Sequence, residues 1–253
     1  MNWKDKLDKF MESFEHKADV VGILVCGSFV TGSPSSHSDL DVHIVLDEAV
    51  DYRERGNKVV DGLLIEYFAN PPRQIRGYFK EDYQTISPMS QTQFATGEIV
   101  LDKIGVVAEL KDEATRMMAL NFDGVESSVN ELIKYGIWDM LDDLQDMYEN
   151  ERIDFDLVYY SNLDKLISIY MQQIKQAYNK KTILGHIMSE GVRKKYLLNE
   201  LPDQYVAKLI QRCIVAECKK DRIDSYEKFT NAVLSLMGGF QIDGFKFKSP
   251  VLE

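Results

Sequence analysis

The sequence predicts an α+β protein: a mixed sheet flanked by helices over about residues 1–120, then an all-α helical bundle over about 121–253. Three observations predict it. Val20-Val21-Gly22-Ile23-Leu24-Val25-Cys26 is a nearly continuous apolar run, as expected of a strand buried on both faces. Residues 39–46 alternate, with Leu40, Val42, Ile44 and Leu46 on one face and Asp39, Asp41 and His43 on the other. From about residue 121 the apolar period becomes helical throughout.

The elements follow in order. Residues 3–17 place Trp3, Leu7, Phe10, Met11 and Phe14 on one face of an amphipathic helix. Gly27-Ser28 turns the chain after the first strand, and the amides beyond are expected to open a helix N-terminus. Residues 33–38 form a polar loop before the strand 39–46. Asp61-Gly62, between Val59-Val60 and Leu63–Phe68, signals a two-residue hairpin. Pro71-Pro72 starts a helix to about Tyr83, Glu98–Lys103 is a short strand, and Val107–Leu120 a helix. Residues 125–148 align Val129, Leu132, Ile133, Met140, Leu141, Leu144 and Met147. Residues 157–178 align Leu163, Leu166, Ile167, Tyr170, Met171, Ile174 and Ala177, and two further helices fall near 202–218 and 225–237.

Hydrophobic content of 45% and charged content of 28% are those of an ordinary globular protein. No apolar run approaches a membrane span, and the start, Met1–Leu7, lacks a signal-peptide core, so a cytoplasmic location is expected. Cys26, Cys213 and Cys218 form no CxxC pair and read as three reduced core thiols. A net charge of −11 without a long Lys/Arg cluster argues against nucleic acid as a partner and favours a cationic small molecule.

Asp39 and Asp41 leave one strand face about 7 Å apart, close enough for both to ligate bridged metal ions. Glu66 points the same way if its strand pairs alongside. Three carboxylates so placed repel one another, and divalent cations relieve the repulsion, so the cluster reads as a magnesium site for two ions. Magnesium in turn bridges triphosphate oxygens. Gly27 lets the backbone approach phosphate, and Ser28 adds a hydroxyl donor.

These residues resemble the nucleotidyltransferase superfamily of the polymerase-β type: Gly27-Ser28 after a strand, Asp39-Leu40-Asp41, and Ile65-Glu66-Tyr67. The resemblance covers about residues 18–105. Total length and a helical carboxy-terminal half are similar to the aminoglycoside and lincosamide nucleotidyltransferases, a resemblance of layout. It implies catalytic carboxylates at Asp39, Asp41 and Glu66, and transfer of a nucleoside monophosphate, AMP from MgATP in the first instance, to a hydroxyl. The acceptor implied is a small cationic compound such as an aminoglycoside, bound by the helical half, and pyrophosphate is released. A lysine of the helical half that reaches the β- and γ-phosphates is also implied; Lys194 and Lys195 are candidates, with Lys195 preferred. The layout is compatible with a homodimer that shares its site. Thr31 departs from the pattern, since many members carry arginine there.

Asp139, Asp142, Asp143 and Asp146 share one helix face, and residues 131–156 hold nine acids against two bases. A solvated surface is the favoured reading, and a wall receiving a polyamine the other. His43 reads as packing beneath the site; His16, His37 and His186 show no metal-ligand spacing. Two alternatives stay open: a protein-modifying nucleotidyltransferase of the toxin–antitoxin kind, and a non-catalytic nucleotide-binding regulator. A sugar-nucleotide glycosyltransferase would leave Gly27-Ser28 and Glu66 unexplained.

Overall fold

The structure, a computed structural model, describes residues 3–120 and 127–248. They divide into two compact units, one reaching to residue 120 and including 194–197, the other holding the rest.

In the first unit, α1 (Trp3–Ser13) leads to β1 (Val20–Cys26), β2 (Leu40–Leu46), β3 (Glu54–Val60) and β4 (Leu63–Asn70). Then come α2 (Pro72–Gln84), α3 (Met89–Thr96), β5 (Glu98–Asp102) and α4 (Val106–Met118). The strands form one sheet in the order β3-β4-β2-β1-β5, with β2 and β4 parallel and the other pairs antiparallel. The sheet is mixed, as the sequence predicts.

Both faces are covered, which is why β1 reads as an unbroken apolar run. Leu7, Phe10 and Phe14 cover the face made by Val25, Leu40, Val42, Ile44 and Ile65. Ile75 and Phe79 of α2, Phe94 of α3, and Val107 and Leu110 of α4 cover the face of Leu24, Cys26 and Val45. Asp61 and Gly62 both take positive φ, 47° and 78°, the conformation that a two-residue hairpin between twisted strands needs. Lys9 Nζ holds the turn through the Asp61 carboxylate at 2.6 Å.

The second unit contains α5 (Ser127–Glu149), α6 (Phe155–Gln173), α7 (Ile183–Met188), α9 (Gln204–Val215) and α10 (Lys219–Leu236). The short α8 (Glu190–Tyr196) runs to residues grouped with the first. Its core joins Ile137 and Leu144 to Phe155, Tyr159, Leu166, Tyr170, Phe229 and Val233. Asp203 caps α9, its carboxylate accepting the Tyr205 and Val206 N–H groups.

Several expectations change. The first helix stops at Ser13 rather than 17, and a short 3₁₀ turn (Lys17–Asp19) leads into β1. The start of the helix expected at 125 and the side chain of Val129 lie outside the described residues. On α5 the buried stripe runs through Ile137, Met140, Leu144 and Met147, and Leu132, set about 100° off it, is exposed. The helix expected to 178 ends at Gln173, where Lys175 takes positive φ. The strand β3 is longer than its apolar end suggests, and α3, α7 and α8 escape the pattern because they are short.

Cys218 is a further correction. Cys26 and Cys213 are buried, but Cys218 is exposed and caps α10, its Sγ accepting the Asp221 N–H at 3.3 Å. Burial pushes the thiols of Cys26 and Cys213 up, the latter to about 12. A thiol reagent at pH 8 is therefore expected to titrate one cysteine rapidly in the folded protein and all three after denaturation. Rapid loss of two or more native thiols would contradict this packing. Among the described residues no helix is long and apolar enough to cross a membrane.

Candidate active site

Strand register assembles the site. In the antiparallel pair of β1 and β2, Cys26 lies opposite Asp41, and in the parallel pair of β2 and β4, Asp41 lies opposite Glu66. Alternation sends both carboxylates to the face that also carries His43 and Phe68. Asp39 joins them from the residue just before Leu40. One carboxylate oxygen from each lies within 4.8 Å of the others, and all three residues are half-buried. Among the described residues no other group of three His, Cys, Asp or Glu side chains converges this way. Oxygen donors only, carboxylates and within coordination reach, are the set a hard divalent cation takes.

The crowding has an electrostatic signature. Burial first, then the charges of Asp39 and Glu66, push the Asp41 carboxyl up to about 6. A cation already answers part of the charge: Arg55 Nη2 donates to Glu66 Oε1 at 2.7 Å, and its guanidinium lies 4.8 Å from the Phe68 ring centre. Sequence reasoning missed Arg55 because Glu54-Arg55-Gly56-Asn57-Lys58 has no apolar alternation. The hairpin was the available signal. Counting outward from Asp61-Gly62 pairs Val60 with Leu63 and Arg55 with Phe68, which sets Arg55 diagonal to Glu66.

Gly27 is held close to the carboxylates. Its φ is +78°, and an added Cβ would drive into Asp41 Oδ2. The following segment is a set of turns, not the expected helix. Thr31 N–H and Oγ1 both donate to the Gly27 carbonyl (3.1 and 2.9 Å), and Ser33 N–H donates to the Ser28 carbonyl (3.0 Å). Gly32, at φ +80°, turns the chain out after one turn, and Pro34 follows closely. Thr31, where many of the resembling enzymes carry arginine, thus spends its hydroxyl on the loop itself. Lys195 Nζ donates to Ser33 Oγ in the same loop at 2.6 Å.

His43 is buried beneath the carboxylates. It shares a 3.2 Å hydrogen bond with Gln93 Oε1, stacks on Phe68 at 5.4 Å, and is pushed down to about 4 by burial. It is a neutral packing residue at pH 7. A cavity of about 750 Å³ opens beside Asp41 and Glu66, bordered by Arg53, Arg55, Phe68 and Tyr78. On α5, Asp142, Asp143 and Asp146 are exposed and Asp139 is half-buried.

Residues 7–94 match the family model of the nucleotidyltransferase domain, a span that contains the three carboxylates, Gly27-Ser28 and every residue lining the cavity. The match supports a nucleotidyltransferase domain over those residues and, in general terms, transfer of a nucleoside monophosphate. Among solved structures the chain is similar to a nucleotidyltransferase-like protein from Exiguobacterium sibiricum 255-15. The two are 11% identical, with a TM-score of 0.46 over 92% of this chain and 75% of that one. No curated protein matches the chain.

Proposed function

We propose that the protein transfers a nucleoside monophosphate, AMP in the first instance, from a magnesium-bound triphosphate to a hydroxyl of a small molecule. The observation that carries this reading is the convergence of Asp39, Asp41 and Glu66 on one sheet face, with the Gly27 backbone against Asp41. Asp39 and Asp41 would hold magnesium, and Glu66 would complete the site for a second ion. When bound, the metal supplies Lewis-acid activation of the hydroxyl and neutralises charge on the phosphates.

The chain's own groups do the rest. Gly27 admits the triphosphate close to the backbone, and the Ser28 hydroxyl donates to it. Lys195, whose ammonium donates to the Ser33 hydroxyl, would meet the β- and γ-phosphates. Arg55 engages one oxygen of Glu66 and leaves the other for metal. The acceptor oxygen forms its bond to the α-phosphorus, the bond from that phosphorus to pyrophosphate breaks, and the hydroxyl proton passes toward Glu66.

The test is where the label goes. ATP labelled at the α- or the γ-phosphorus would be incubated with magnesium and a panel of hydroxyl compounds, including aminoglycosides, lincosamides, sugars and sugar phosphates. The expected result is α-label in a small product with pyrophosphate released. Label from the γ-position would mean phosphoryl transfer, and α-label confined to protein would favour the protein-modifying alternative.

A further inference from the structure

The cavity beside Glu66 has a polarity that the transfer reaction alone does not explain. At about 750 Å³ it lies within the usual range for small-molecule sites. Its border carries two guanidinium groups, Arg53 and Arg55, two positions apart and so on one face of the chain entering and forming β3. Arg53 Nη1 donates to Tyr78 OH at 2.8 Å, and Arg55 Nη2 donates to Glu66 at 2.7 Å. Among the described residues each guanidinium makes that one hydrogen bond, so most of its five N–H donors are unspent.

The acids around the same cavity are engaged. Glu54 accepts the Tyr67 hydroxyl, and Asp82 Oδ2 accepts both the N–H and the hydroxyl of Ser90, at 2.8 and 2.6 Å. Asp41 and Glu66 belong to the carboxylate cluster. What the cavity has left to offer an anion is the unspent donors of the two guanidinium groups, set beside the carboxylates of Asp41, Glu54, Glu66 and Asp82.

The register decides which substrate enters here. The Gly27-Ser28 loop continues from Cys26, on the β1 side of Asp41, whereas the cavity lies on the β4–β3 side. In an in-line displacement the attacking oxygen and the leaving pyrophosphate stand on opposite sides of the phosphorus. With the triphosphate on the glycine-serine side, the acceptor takes the arginine side.

We infer that the acceptor is a small hydroxyl compound bearing a phosphate or carboxylate group, which Arg53 and Arg55 hold while its hydroxyl reaches the carboxylates. This rests on the transfer reading above. Guanidinium groups suit such anions because they offer paired donors in one plane.

Inorganic phosphate is the probe. Protein saturated with magnesium and a non-hydrolysable ATP analogue would be titrated with phosphate, following the arginine side-chain NMR signals of the wild type, Arg53→Gln and Arg53→Lys. Saturable binding is expected in the wild type, at least about tenfold weaker in Arg53→Gln and largely restored in Arg53→Lys. In the transfer assay, Arg53→Gln should raise KM for a phosphorylated acceptor by about tenfold or more while kcat stays within about twofold. No phosphate binding, or binding unchanged in Arg53→Gln, would overturn the inference. So would a raised KM for MgATP in place of the acceptor. Phosphate held by Arg53 with no label transferred would sink the transfer reading and keep the anion site. Label passed to aminoglycosides with no phosphate binding would do the reverse.

Discussion

Asp41→Asn is expected to lower pyrophosphate release by about 10³-fold or more while leaving the metal-free protein at least as stable as the wild type. The loss follows from removing one charge of the metal cluster, whose contribution to such a transition state is several kcal/mol. The stability result follows from the same charge seen without metal. Asp41 is pushed up to about 6 by burial, Asp39 and Glu66, so its ionised form is disfavoured in the folded protein. The sign is that of a raised acid: its contribution to stability is fully present below the unfolded value near 4 and is lost as pH rises through about 6.

Asparagine removes that pH dependence. In metal-free buffer the variant should melt with the wild type at a pH below about 4 and above it at pH 8, by about 2–4 °C. That corresponds to roughly 1 kcal/mol once solvent screening at a half-buried site is allowed for. Magnesium at pH 8 should reverse the order, since the wild type gains the more from the ion. Calorimetric scans at two pH values, with and without magnesium, check all four conditions. A variant that melts below the wild type at pH 8 without metal would contradict the repulsion, and one that keeps its activity would remove Asp41 from the reaction.

Gly27→Ala should be the most damaging small change in the loop. A side chain at φ +78° costs about 1–2 kcal/mol, and the new Cβ must also displace the Asp41 carboxylate. We expect a total stability loss of about 1–3 kcal/mol and a fall in activity of at least about 10²-fold, because the carboxylate leaves its place in the cluster. A double-mutant cycle separates the two causes. With Asp41→Ala as background the collision partner is gone, and Gly27→Ala should cost only its left-handed strain. Equal costs in both backgrounds would show that the collision contributes nothing.

Much of this fold can be read in the residues, and the unread parts have physical reasons. The strand β1 declares itself because a sheet covered on both faces tolerates no polar position there. The metal cluster is half legible. Asp39 and Asp41 share a face by alternation alone, whereas Glu66 reaches them only through a parallel pairing that no local pattern specifies. Arg55 stays hidden since an exposed edge strand needs no apolar rhythm. The helix α3 hides for a related reason: it turns Gln91 inward, satisfied by donating its side-chain amide to the Phe79 carbonyl, so its buried face does not look apolar. The loop after Ser28 forms turns in place of the expected helix, and Gly32 and Pro34 are the stop signals the sequence carries for it. The closeness of Gly27 to Asp41 belongs to tertiary structure and has no local trace.

The parallel ladder of β2 and β4 also governs which changes in chain length the protein can absorb. Asp41 and Glu66 are twenty-five positions apart in the chain but adjacent on the ladder, so their spacing in the sequence is not what holds them together. Residues 47–53 could lengthen or shorten over generations without moving either carboxylate. A single residue lost between Gly62 and Glu66 is another matter. It would turn Glu66 toward the layer of Leu63, Ile65 and Ala69, and a chain altered by one amino acid would lose its third acid to the hydrophobic side of the sheet.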